Sequence, residues 1–137
     1  MFFFTEVAHD TMPAELSRVA IFNSKPIGWI RCRLDPGSDN LSNSDIKQSR
    51  NRIYIQALCL VAPHRGQGIA SMLLDSISQS NILDRYDVNT IDAHVWENNE
   101  DALGWYERRN FKRILMIEGY YRKLKPGGAW LVRKELR

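Results

Sequence analysis

Residues 58–71, LCLVAPHRGQGIAS, narrow the folds open to this chain more than any other stretch. An apolar, strand-like run, IYIQAL, leads into them and a helix-like run, ASMLLDSISQ, leads out. The order is therefore strand, turn, helix. In such a turn small residues leave backbone N–H groups unobstructed. The helix that follows adds the positive end of its macrodipole, so a phosphate is held without a dedicated side chain. The spacing Arg65-x-x-Gly68-x-Ala70 marks a candidate site for a phosphorylated cofactor, although taken alone it also fits an ordinary βα turn with a glycine pair.

A chain of 137 residues with 44% hydrophobic content buries one core, so the expectation is a single domain over 1–137. Cys32 and Cys59 both sit in apolar runs and no cleavable signal pattern precedes them. They are expected to be reduced and buried. His9, His64 and His94 are far apart and have no second ligand at zinc-like spacing, which argues against a metal site. The MFFF start is too short to cross a membrane. The expectation is a soluble cytoplasmic protein, with the nucleus as a second compartment.

The net charge of +3 is modest but unevenly placed. From Glu107 to Arg137 there are ten Lys or Arg against three Glu, a balance of +7. A solvated face beside a cofactor phosphate explains this better than nucleic-acid recognition, because no aromatic-interleaved RNA motif accompanies it.

Alternation and turn residues give the remaining elements. Arg18–Asn23 and Pro26–Asp35 read as a strand pair joined at Asn23-Ser24-Lys25, and Arg52–Val61 as a third strand. The polar stretch from Asp35 to Arg50 reads as an exposed loop. Over 69–77, Ile69, Met72, Leu73 and Ile77 define one helical face. In the strand Thr90–Trp96, Ile91, Ala93 and Val95 alternate with Asp92, His94 and Trp96. A second helix starts at Asn99, a good N-cap, and stops at Asn110, suited to the left-handed C′ position. Strands Lys112–Glu118 and Ala129–Lys134 close the chain. The class is α/β (α+β), a mixed sheet with helices packed on it.

Three segments then carry a specific resemblance: IYIQALCLVAPHRGQGIASMLL, DAHVWENNEDALGWYERRNF and EGYYRKL. In order and spacing they resemble the NatE-type (San-like) N-terminal protein acetyltransferases of the GNAT superfamily. Arg65-x-x-Gly68-x-Ala70 matches that superfamily's R/Q-x-x-G-x-G/A pattern, and Tyr120-Tyr121 is the family's own mark. The resemblance implies a GNAT fold with a mixed, mostly antiparallel central sheet, here without its first strand and helix. It also implies transfer of acetyl from acetyl-CoA to the α-amine of a protein beginning with Met and a hydrophobic residue.

Residue chemistry agrees with an amine acetyltransferase. A thioester is already an activated donor, so the enzyme must position it, deprotonate the amine and stabilise the developing oxyanion. Neither cysteine shows a Cys-His-acid pattern, which favours direct attack over an acyl-enzyme. An α-amine titrates near about 8 and a lysine near about 10.4, so deprotonating lysine costs about 3 kcal/mol more. His94 has the pKa range suited to this proton. Tyr54, on a face shared with Arg52 and Gln56, is its natural companion, although both also read as hydrogen-bonded core residues.

The resemblance implies that Tyr54 and His94 hold a water through which the proton leaves, and that Tyr106, a turn beyond Ala102, faces the CoA sulfur. It points to Leu58, Cys59, Leu60 and Val61, to Arg65, Gly66, Gln67, Gly68, Ile69, Ala70 and Ser71, and to Asn99 and Ala102 for the cofactor. Tyr120 and Tyr121 would form one peptide wall. Gln56 stands where the family has an apolar residue. With the family's first helix and Phe-Pro loop not evident, Phe2, Phe3 and Phe4 read as a helix remnant or an apolar cover. The partners implied are a protein N-terminal peptide, the NatA complex and the ribosome, with neither membrane nor sequence-specific nucleic acid. A weakly active CoA-binding scaffold subunit and a small-amine or lysine acetyltransferase are the alternatives.

Overall fold

The computed structural model describes residues 2–6, 16–37, 51–78 and 81–136, in two compact units that meet in sequence after Asn89. In the first unit β1 (Phe2–Glu6), β2 (Ser17–Phe22), β3 (Lys25–Asp35) and β4 (Asn51–Leu60) pair antiparallel in chain order. The β1 strand corrects the reading of the N-terminus as a helix remnant lacking a first strand. Phenylalanine and threonine favour extended backbone, and the free edge of β2 gives them a partner. Asn23 and Ser24, both at positive φ, connect β2 to β3 in a two-residue turn of the type that matches strand twist. Of the polar loop expected after Asp35, residues 38–50 lie outside the described residues.

Helix α1 (Ile69–Ser78) lies against β2, β3 and β4. It buries Ile69, Leu73, Leu74 and Ile77, whereas Met72 is 44% exposed. The expected face is thus corrected by one position. At about 100° per residue Met72 and Leu74 flank Leu73 equally, on opposite sides of the Ile69–Leu73–Ile77 stripe, so periodicity does not choose between them and packing against the strands does. Met72 instead lines an open cleft of about 400 Å³ with Phe22, Ile27, Pro63 and His64. A four-residue helix, α2 (Ile82–Arg85), is too short to leave a periodic signature.

The second unit takes most of β5 (Val88–Trp96), then α3 (Glu100–Arg108), β6 (Lys112–Ile117) and β7 (Ala129–Glu135). β7 pairs antiparallel with both β5 and β6. The Asn99 side chain accepts the Ala102 N–H at 3.1 Å, and Asn110 takes φ 69°, so both helix boundaries follow the sequence. Asp92, buried on β5, is held by the Arg133 guanidinium in two hydrogen bonds of 2.8 and 2.9 Å. No helix among the described residues is long and apolar enough to cross a membrane.

Candidate active site

In the first unit the candidate cofactor turn is made by backbone. β4 runs into a 3-10 turn at Ala62–His64, and the Arg65 Nε donates to the Leu60 carbonyl at 3.1 Å, fixing the turn to the strand end. Gly66 and Gly68 stand at φ 78° and 79°, where a side chain would be strained although a Cβ there would touch nothing. Glycine is required by conformation, not by space. The Met72 N–H donates to the Gly68 carbonyl, so α1 starts immediately after the second glycine. Arg65, Gly66, Gln67 and Gly68 are exposed, Ala70 and Ser71 are half-buried, and Ile69 anchors the helix in the core. A helix start leaves N–H groups without intrahelical acceptors, and the first turn of α1 carries no acid. The arrangement fits a phosphate group.

The β4 strand contributes Leu58, Cys59 and Leu60, all half-buried, followed by the exposed Val61. Its ladder with β3 breaks register once. Arg31 lies opposite Ala57 and Cys32 opposite Ile55, which leaves Gln56 as the extra, exposed residue of a bulge. Gln56 and Ala57 together stand against the single residue Arg31, and alternation resumes one residue out of step beyond them. Tyr54 lies opposite Arg33, whose guanidinium sits 4.2 Å from the ring centroid and is itself bound to Asp35 at 2.8 Å. Cys32 is fully buried and its thiol is pushed up to about 12 by that burial, which removes it as a nucleophile at neutral pH.

In the second unit the candidate residues act through their side chains. His94, half-buried on β5, stacks on Tyr120 with ring centroids 4.5 Å apart and planes 20° from parallel. Tyr120 in turn meets Tyr121 edge-on at 4.9 Å. Both tyrosines belong to the segment between β6 and β7. Burial, and secondarily the Tyr120 hydroxyl, raises the Tyr121 phenol above its ordinary value. Tyr106, 8% exposed on α3, meets Trp105 and Phe111 edge-on. The Asn99 side chain is engaged in capping α3, with Ala102 as its donor. Sequence reasoning did not find the Arg33–Tyr54 contact or the hydrogen bond from the Trp96 indole to the Pro126 carbonyl at 2.7 Å. Each joins residues distant in the chain, and only the even spacing of Trp96 from His94 hinted at a shared face.

These features define an acetyltransferase of the GNAT type, and the chain belongs to that family. The family model described as "Acetyltransferase (GNAT) family" matches residues 3–111. The fold is the GNAT fold, with seven strands and a few helices among the described residues. The chain is 31% identical to N-alpha-acetyltransferase 50 of Danio rerio over 90% of its length and 67% of the relative's. It is 29% identical to the probable N-acetyltransferase san of Drosophila melanogaster, again over 90% of this chain but 61% of that protein. It is also similar to a solved structure of Arabidopsis thaliana Naa50 in complex with the bisubstrate analogue CoA-Ac-MVNAL. The TM-score there is 0.70 at 30% identity, covering 88% of this chain and 72% of that one.

Proposed function

We propose that this chain transfers acetyl from acetyl-CoA to the α-amine of a protein N-terminus, with Met followed by a hydrophobic residue as the preferred start. One observation carries the reading. A backbone anion turn with two left-handed glycines follows β4 in a chain 31% identical to an N-alpha-acetyltransferase. Acetyl-CoA supplies an acyl group already activated as a thioester. The turn from Arg65 to Ser71 holds the phosphates through the N–H groups of residues 66–71, with Leu58 to Val61, Asn99 and Ala102 along the remainder of the cofactor. Tyr54 and His94 take the proton of the attacking amine through a water. Tyr106 donates a proton to the departing thiolate. Gln56, Tyr120 and Tyr121 contact the peptide, the aromatic rings receiving its apolar second residue. A cytoplasmic location and association with NatA at the ribosome, as a NatE-type subunit, belong to the same proposal.

A panel of peptides differing in their first two residues, incubated with acetyl-CoA and read by mass spectrometry, tests it. Met-Leu-type peptides are expected to gain one acetyl group at the α-amine, with an internal lysine a poorer acceptor. Saturable acetyl-CoA binding without acetylation of any peptide, together with stable association with NatA, would leave a scaffold subunit instead.

A further inference from the structure

Trp96 has no part in the chemistry proposed above, yet it is bound to the segment that carries both peptide-wall tyrosines. Two residues beyond His94 on β5, it shares the His94 face. Its indole N–H, a donor with no acceptor function, reaches thirty residues along the chain to the Pro126 carbonyl at 2.7 Å, at the short end of such bonds. The next residue along the backbone adds a second tie, because the Glu97 N–H donates to the Gly128 carbonyl at 3.0 Å.

The segment between these ties and the tyrosines is closely wound. The Tyr121 N–H donates to the Gly127 carbonyl at 2.8 Å, and the Leu124 N–H to the Tyr121 carbonyl at 3.3 Å. A Cβ at Gly127 would lie 2.6 Å from the Tyr121 carbonyl oxygen, so nothing larger than glycine lets the two backbone stretches approach. A displacement at Pro126 is therefore passed through Gly127 to Tyr121. Tyr121 touches Tyr120, and Tyr120 is stacked on His94.

We propose that Trp96 is a positioning residue for peptide binding: its indole N–H holds the Pro126 carbonyl and so sets where Tyr120 and Tyr121 stand for the substrate N-terminus. This rests on the N-terminal acetyltransferase reading. Trp96→Phe keeps an aromatic ring and removes the donor. It is expected to raise the KM for a Met-Leu peptide roughly two- to tenfold, the range of one hydrogen bond, with kcat and acetyl-CoA affinity changed by less than about twofold. Trp96→Gln, which restores an N–H donor, should recover part of that loss. Gly127→Ala should raise the same KM by crowding Tyr121 from the other side.

An unchanged peptide KM in a folded Trp96→Phe protein would overturn the proposal. So would an equal fall in acetyl-CoA affinity, which would mark a general structural role. Should Trp96→Phe fail to fold, the native protein still decides. Its Trp96 indole N–H, identified in the NMR spectrum by its proximity to Pro126, should exchange with solvent more slowly than the indole of the exposed Trp29, and should shift on addition of peptide but not of CoA. Fast exchange or an unresponsive signal overturns the tether. If no peptide is acetylated at all, the enzyme reading fails, whereas slow exchange of this one proton remains a separate result.

Discussion

The turn after β4 and the segment between β6 and β7 both depend on paired glycines, for opposite reasons. Gly66 and Gly68 stand at positive φ with open space around them, so they supply a backbone path. A Cβ at Gly127 would press on the Tyr121 and Leu124 carbonyls, and one at Gly128 on the Glu97 carboxylate and the Met116 sulfur. Those two supply room. The first region presents N–H groups and leaves its side chains in solvent. The second presents rings held by a stack, an edge contact and an indole hydrogen bond. Backbone recognition tolerates drift in side-chain identity, because every residue carries the same amide. A ring wall does not, since it works through the position of particular side chains.

The largest expected effect is on chemistry. His94→Ala and Tyr54→Phe should each lower turnover about 10²- to 10⁴-fold while acetyl-CoA affinity, set by the turn, stays near that of the native protein. Calorimetry beside steady-state kinetics separates the two. Near-normal turnover in both, with chemistry rate-limiting, would remove them as the catalytic pair.

A smaller effect is expected at the turn. Gly68→Val forces a β-branched residue into a left-handed conformation at a cost of about 1–2 kcal/mol, so acetyl-CoA should bind roughly tenfold more weakly. Peptide KM at saturating acetyl-CoA should hardly move. A Gly68→Val protein with native affinity in calorimetry would show that the backbone path is not what holds the cofactor.

The smallest expected effect is on pH dependence in the second region. The raised Tyr121 phenol holds its proton more tightly in the folded chain than in the unfolded one. Its contribution to stability is therefore complete below the unfolded value of about 10 and is lost as pH rises through the folded value. Ultraviolet titration of tyrosinate should show a late component that Tyr121→Phe removes, with no change in stability between pH 7 and 9. A titration that lacks the late component would mean that Tyr121 is solvated and the wall looser than its contacts imply.

Local sequence was sufficient wherever a short window determines conformation. The glycine spacing of the turn, the Asn99 cap, the Asn110 exit from α3 and the alternation that puts His94 beside Trp96 on β5 all depend on backbone preferences within a few residues. Tertiary structure decided whatever needed a distant partner. The bulge at Gln56 exists only in register with Arg31 and Cys32 on β3. The strand at Phe2–Glu6 depends on the open edge of β2. The stack of His94 on Tyr120 and the reach of Trp96 to Pro126 join β5 to a segment about thirty residues later. Periodicity shows which way a side chain points, but not what the folded chain brings to meet it.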